Sequence, residues 1–257
     1  MIPKTIHYCW FGRGEKPELT QKCIESWKKF CPDYEIIEWN EDNFDINSNL
    51  YVKQAYEARK FAFVTDYVRL WAMYHHGGIY MDTDVEVRKS LDEYLHEEAF
   101  SGFESKERIP TGIMASEKDF PLFGDLLAYY KDRPFVKEDG SLDLTTNVIT
   151  ITNMLTPLGF APNGEKQTVA GFTLYPQNVF CPLHKKVDDA VYMKDTATIH
   201  WFAGSWKSEA SKKREKALWW KIAVVPAMAV SKAMRKLFGD KWENAKNKVR
   251  DKILSEK

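Results

Sequence analysis

Apolar residues along the chain fall into two spacings, and the spacings alternate. After Pro3, the run Ile2–Trp10 is rich in β-branched and aromatic residues and predicts a first buried strand. Phe11-Gly12-Arg13-Gly14 is a turn. Over Thr20–Phe30, Cys23, Ile24, Trp27 and Phe30 recur at helical spacing. Cys31-Pro32-Asp33 stops that helix, and Tyr34–Trp39 predicts a second strand before the polar loop Asn40–Asn49. Tyr51–His76 is helical in pattern, and Ile79-Tyr80-Met81 is a short apolar strand. Strand, helix, strand, helix, strand is the alternation of an α/β fold with a parallel sheet. Farther on, strands are expected at Ala99–Phe103, Ile113–Ala115, Thr173–Tyr175 and Thr198–Trp201, and helices at Phe120–Tyr130 and Thr145–Leu155. From Ser208 to Lys257 the pattern is helical and amphipathic in patches, broken at Pro226 and Gly239.

Candidate chemistry concentrates between Phe61 and Val87. Asp66 and Arg69 are three apart in a helical pattern and share a face. Gly77-Gly78 ends the helix, because glycine accepts the backbone that a C-terminal cap requires. Asp82-Thr83-Asp84 follows the apolar strand. If the strand continues, both carboxylates lie on one face. There they repel each other unless a cation sits between or beside them, which points to a divalent metal. The bland alternatives are an Asp82 salt bridge, an Asp84 loop cap and a helix ion pair between Asp66 and Arg69.

Charge changes this picture at one end only. The chain of 257 residues has a formal net charge of zero, which gives no reason to expect nucleic acid. From Ser205 onward, however, fifteen Lys/Arg face six Asp/Glu, leaving +9, while 22 basic and 31 acidic residues leave −9 on the remainder. A basic, amphipathic tail suggests contact with something anionic, such as a membrane surface. The apolar stretch Leu218–Val230 is interrupted by Lys221 and Pro226 and does not reach spanning length. Cys9, Cys23, Cys31 and Cys181 form no Cys-x-x-Cys pair, and reduced thiols are expected. The start, MIPKTIHYCWFG, has no signal-peptide pattern. The expected location is cytoplasmic, peripheral on the inner face of the plasma membrane.

Three blocks carry a resemblance: IPKTIHYCWFG at 2–12, FxxxTDYVRLWAMYHHGGIYMDTD within 61–86 and IHWFAGSW at 199–206. Together they resemble the family-32 glycosyltransferases, whose sugar-binding region contains an Asp-x-Asp motif. Yeast α-mannosyltransferases and capsular polysaccharide transferases belong there, and the clostridial glucosylating toxins are more distant. The resemblance implies a GT-A fold, with a Rossmann-like, mostly parallel sheet flanked by helices. A catalytic domain over 1–207 would carry a C-terminal helical extension over 208–257. It also implies a nucleotide-sugar donor, Mn²⁺ or Mg²⁺, and retention of anomeric configuration.

The resemblance also implies roles. Asp82 would contact ribose or sugar and reach the metal through water, and Asp84 would ligate the metal directly. Asp66 and Arg69 would hold donor-sugar hydroxyls, since a carboxylate accepts and a guanidinium donates. Trp10 would stack on the base beside His7 and Tyr8, for which core packing of a first strand is the alternative. Thr83 would lie on the donor side of the aspartates, and Tyr80 would be core or face the nucleotide. His200 is the candidate last metal ligand, a role suited to imidazole with manganese. Ser205 and Trp206 would close over the diphosphate. Gly112, in Thr111–Ala115, would pass under the donor sugar, and Asn147 would stand near the anomeric carbon.

The expected activity is retaining, metal-dependent transfer of a hexose or N-acetylhexosamine, from a UDP-sugar by preference. The acceptor would be a saccharide or lipid-linked oligosaccharide in surface polysaccharide synthesis. Two alternatives differ in kind. Haloacid-dehalogenase phosphatases also place Asp-x-Asp after an apolar strand, but near the chain start and with Thr or Val at the fifth position, where this chain has Glu86. A nucleotide-sugar or glycan-binding module with a degenerate site is the non-enzymatic alternative.

Overall fold

A computed structural model describes residues 1–183 and 186–204. The chain divides into two compact units, Met1–Ala203 and Gly204–Lys257. The second lies outside the described residues apart from its first glycine, as do the expected helical extension, Ser205 and Trp206.

The first unit is built on a seven-stranded sheet. Its first three strands are β1 (Thr5–Cys9), β2 (Glu35–Trp39) and β3 (Gly78–Met81). Then come β4 (Val85–Val87), β5 (Ala99–Gly102) and β6 (Ile113–Ser116), followed by β7 (Gln167–Val169), β8 (Phe172–Tyr175) and β9 (Thr198–His200). The main sheet has the order β2-β1-β3-β6-β5-β8-β7, and β4 pairs with β9 in a separate two-stranded sheet. Strands β2, β1, β3, β5 and β8 run one way, and β6 and β7 run against them. The expected mostly parallel sheet is therefore present, with two reversals in its second half.

The helices are α1 (Glu18–Phe30), α2 (Leu50–Glu57), α3 (Phe61–His76), α4 (Pro121–Tyr129), α5 (Asn147–Leu155) and α6 (Gln177–Phe180). Helix α1 buries Cys23 and Trp27, one turn apart, against the sheet. The Trp27 indole also donates to Val85 O at 2.7 Å, tying α1 to β4. The single helical pattern over Tyr51–His76 resolves into two helices, because the chain breaks around Arg59, which takes φ +55°. Helix α3 buries Val64, Val68, Leu70, Ala72 and Met73, each contributing about 1–3 kcal/mol through removal of apolar surface from water.

Helix α3 stops at Gly77-Gly78 for a steric reason. Both glycines have positive φ, +68° and +95°. A Cβ at Gly77 would lie 2.6 Å from the Lys118 amide nitrogen, and one at Gly78 would lie 2.6 Å from Thr5 O. The helix therefore feeds directly into β3, next to β1. The order β2-β1-β3 makes the β1/β3 boundary a switch point, where connections leave in opposite directions and open a crevice at the strands' carboxyl ends. Trp10 and Asp82 follow those two ends.

Candidate active site

β3 ends at Met81 and the chain turns at once. The Asp82 N–H still donates to Gly112 O at 2.8 Å, but the Asp82 carbonyl folds back to accept from Val85 N–H at 3.0 Å. A tight turn, rather than a continuing strand, thus holds Asp82, Thr83 and Asp84. This corrects the strand-face expectation, since the two carboxylates converge through the turn. β4 then pairs antiparallel with β9, with Val85 opposite His200 and Val87 opposite Thr198. That register carries His200 to the turn.

His200 Nε2 lies 3.2 Å from Asp84 Oδ1. Ala203 N–H donates to Asp84 Oδ2 at 2.8 Å, and Trp201 N–H donates to Asp84 O at 2.9 Å. Asp82, Asp84 and His200 each bring a ligand atom within 4.8 Å of the others. Two carboxylate oxygens and an imidazole nitrogen suit Mn²⁺ or Mg²⁺ chemically, with manganese the better match for imidazole. Burial works to raise the Asp84 pKa, but hydrogen bonding and charge from His200, with the Ala203 N–H, bring it below the ordinary value. Burial likewise opposes charge on His200, and the Asp84 and Cys181 hydrogen bonds outweigh it, so the ring pKa is raised. Without metal the two form an ion pair. A divalent cation requires the neutral ring, so it would take the place of the His200 proton.

A second layer braces Asp82. Arg69 is buried, 5% exposed, and its Nη1 lies 3.2 Å from Asp82 Oδ1 and donates to Thr111 O at 2.6 Å. Its Nη2 lies 3.5 Å from Asp66 Oδ1. The guanidinium sits 4.7 Å from the Tyr80 ring centre, and the Tyr80 hydroxyl donates to Asp82 Oδ1 at 2.9 Å. Asp66 and Arg69 are therefore more than a helix pair, because the guanidinium joins two carboxylates. Asp66 has its pKa pushed up to about 6, because burial outweighs the attraction of Arg69.

Three of the expected ligand contacts are corrected. His7 is fully buried, its Nδ1 accepting from the Trp39 indole at 3.1 Å and its Nε2 donating to Gly77 O at 2.9 Å. Burial lowers its pKa to about 4, and it is a neutral core residue under the α3–β3 junction. Tyr8 packs edge-on against Trp27 and gives its hydroxyl hydrogen to Glu38. Asn147 is also fully buried, so it does not face the crevice. Its Nδ2 donates to Asp66 O at 2.6 Å, its Oδ1 accepts from Tyr130 O–H at 2.5 Å, and its backbone N–H lies 3.4 Å from Asp66 Oδ2. It anchors Asp66. Tyr80, at 1% exposed, takes the core position and orients Asp82 through its hydroxyl.

Trp10 and Thr83 remain partly exposed, as does Asp82 itself. The Trp10 indole donates to Gly14 O at 2.7 Å, which holds the ring at the β1 end with Lys16 Nζ 5.8 Å from its centre. Gly112 is buried against His200. Sequence reasoning missed Tyr130, whose sequence surroundings carry no signal, and Phe202, whose ring stacks on His200 at 4.1 Å between centroids. It also did not anticipate Thr111 O as a partner of Arg69. All four cysteines are free and buried.

The crevice at the β1/β3 switch point, the Asp-Thr-Asp turn and the returning β9 histidine define the GT-A arrangement that the sequence motifs imply. Residues 17–101 match the family described as "Glycosyltransferase sugar-binding region containing DXD motif", so this segment carries the family's region, with both aspartates inside it. Among curated proteins, "Inositol phosphoceramide mannosyltransferase 3" of Schizosaccharomyces pombe is 31% identical over 124 residues, covering 47% of this chain and 35% of that protein. "Mannosyl phosphorylinositol ceramide synthase CSH1" of Saccharomyces cerevisiae is 30% identical over 135 residues, covering 48% and 34%. The chain thus spans about a third of the length of these relatives. A solved glycosyltransferase involved in glycosylating the major capsid of PBCV-1 is 12% identical, with a TM-score of 0.46 and coverage of 82% of this chain and 98% of that one.

Proposed function

We propose that this protein is a retaining, metal-dependent glycosyltransferase that moves a hexosyl or N-acetylhexosaminyl group from a nucleotide-sugar to a saccharide or lipid-linked oligosaccharide. The observation that carries this reading is the convergence of Asp82, Asp84 and His200 at the switch-point crevice of a DXD sugar-binding region. UDP-sugars are the favoured donors. The relatives' names specify mannose, which supports GDP-mannose as a further candidate.

In this reading Asp84, His200 and Asp82 would hold the cation, which would supply positive charge to stabilise the leaving nucleoside diphosphate. Trp10 offers its ring to the base from the end of β1. Asp66, whose side chain is 10% exposed, is the residue proposed to accept a sugar hydroxyl hydrogen. Arg69 keeps Asp82 and Asp66 oriented and ionised, and Tyr80 and Asn147 hold those two carboxylates from behind. The bond from the anomeric carbon to the phosphate oxygen breaks, and the acceptor oxygen bonds that carbon from the same face. The acceptor proton passes to the departing diphosphate. No protein carboxylate nucleophile is invoked.

The setting proposed is surface polysaccharide synthesis at the cytoplasmic face of a membrane. The basic tail from Ser205 supports this through its attraction to anionic lipid. No described helix is long and apolar enough to cross a membrane. Donor hydrolysis is the direct test, measured across UDP-glucose, UDP-galactose, UDP-N-acetylglucosamine and GDP-mannose, with and without Mn²⁺. Metal-dependent release of a nucleoside diphosphate from one donor is expected. Silence across the panel under both conditions, with the donor still bound, would favour a binding module instead. Liposome co-sedimentation with and without residues 208–257 tests the membrane assignment, and unchanged binding on removal refutes it.

A further inference from the structure

We propose that Gly112 is a positioning residue for the cation site: its missing side chain leaves the space in which the His200 imidazole stands, and so sets where Nε2 lies relative to Asp82 and Asp84. The inference rests on reading these three residues as cation ligands. A Cβ on Gly112 would lie 2.7 Å from both Cε1 and Nδ1 of His200, and 3.4 Å from Cγ. A Cβ carbon does not come that close to a non-bonded atom, so one of the two residues would have to move. The Gly112 backbone is not left-handed, so its conformation does not demand glycine. The requirement for glycine comes from the imidazole.

The ring has little freedom to step aside. Asp84 holds Nε2 at 3.2 Å, and the His200 backbone is fixed by its pairing with Val85. The Phe202 ring is stacked on the imidazole at 4.1 Å and 24°. Phe202 adopts φ +50°, a left-handed conformation that a non-glycine residue keeps only where the surroundings hold it.

The same short segment also fixes Asp82. Gly112 O accepts from Asp82 N–H at 2.8 Å, which sets the height of the turn. Thr111 O accepts from Arg69 Nη1 at 2.6 Å, and Arg69 is the charge partner of Asp82. One dipeptide therefore sets the Asp82 backbone, the guanidinium that orients its carboxylate, and the imidazole. Partners that orient a ligating histidine typically change metal affinity by about 10–100-fold when altered.

A double-mutant cycle between Gly112→Ala and His200→Ala tests this, using the full chain. Mn²⁺ affinity is measured by electron paramagnetic resonance titration, and melting temperature is measured on metal-free protein. Gly112→Ala alone should weaken Mn²⁺ binding by about 10–100-fold and lower the melting temperature. In the His200→Ala background the added methyl enters vacated space. There Gly112→Ala should change Mn²⁺ affinity by less than about twofold and should not lower melting further. A Gly112→Ala chain that fails to fold on its own but folds alongside His200→Ala gives the same answer. Equal losses in both backgrounds, or misfolding in both, would mean a general structural role and would overturn the proposal. Wild-type binding with an unaffected Gly112→Ala variant overturns this inference alone. A wild-type chain that binds no Mn²⁺ overturns the cation reading and takes this inference with it.

Discussion

Asp66, on the inner face of α3, and Asp84, on the turn after β3, are both largely buried carboxylates in one site, yet burial resolves in opposite directions. Asp66 shares Arg69 with Asp82, at 3.5 Å for its own contact, and burial raises its pKa to about 6. Asp84 has its own cationic partner in His200 and two backbone N–H or carbonyl contacts with the chain after β9, and its pKa falls. Depth alone thus does not decide ionisation; an unshared charge partner does. The α3 centre is a permanent brace made of groups that stay together. The turn centre is an ion pair that a metal can replace. Counted together, Asp66, Asp82 and Asp84 against Arg69 and protonated His200 leave one negative charge, and exchanging the His200 proton for a divalent cation brings the set to neutrality.

Breaking the turn centre should have the largest effect. Asp84→Ala should abolish Mn²⁺ binding and metal-dependent donor turnover while leaving the fold intact by circular dichroism. Turnover persisting at the wild-type level would end the comparison. Breaking the brace should act on stability first. Arg69→Met leaves Asp66 and Asp82 without their shared cation and should cost about 3–5 kcal/mol in denaturant unfolding. A loss below about 1 kcal/mol would show that the guanidinium is not needed to hold the carboxylates.

Asn147→Ala should be milder, about 1–3 kcal/mol, because it strips partners from Tyr130 O–H and Asp66 O without removing charge. Mn²⁺ affinity should be kept, and a large loss there would return Asn147 to the metal site.

Two proton measurements sharpen the contrast at smaller scale. Mn²⁺ binding near neutral pH should release about one proton, read by calorimetry in buffers of different ionisation enthalpy. For Asp66 the folded pKa is raised above the unfolded value, so the folded state binds more protons between about pH 4 and 6. Its contribution to stability is therefore greatest below the unfolded pKa and is lost as pH rises through the folded one. Asp66→Asn removes that loss, so its melting temperature relative to wild type should be higher at pH 7.5 than at pH 4.5. The reverse order would show that burial does not raise the Asp66 pKa.

Much of this was legible in the sequence, but unevenly. Strands β1, β2 and β3 and helices α1 and α3 follow from the apolar pattern; Asp66 and Arg69 fall on α3, and Asp82 and Asp84 come directly after β3. β4, β7 and β9 are three residues each, too short for alternation to register, although the apolar Thr-Ile pair marked β9. No glycine or proline marks the turn after Met81, so the sequence pattern leaves open whether the strand continues through Asp84. His7, Tyr8 and Asn147 share one feature: polar atoms beside a site suggest ligand contacts, but these three bond to protein, and Tyr80 takes its core alternative. Asn147 sits at the first residue of α5, in a β-branched run that hides where the helix starts. Its backbone N–H therefore points at a carboxylate 81 positions away, a distant pairing that no local pattern can signal.

The small β4–β9 sheet has a consequence for how the molecule comes to be active. It joins residues 115 positions apart in the chain, Val85 to His200, whereas β1, β2 and β3 join through nearer neighbours. Closing so long a loop is slow and comes late relative to local structure. As the chain leaves the ribosome, the Asp-Thr-Asp turn can form well before its histidine has been synthesised. The cation site is completed only when almost the whole described body is present. A chain ending before Thr198 would therefore carry the Asp-Thr-Asp motif without the histidine that completes the candidate cation site.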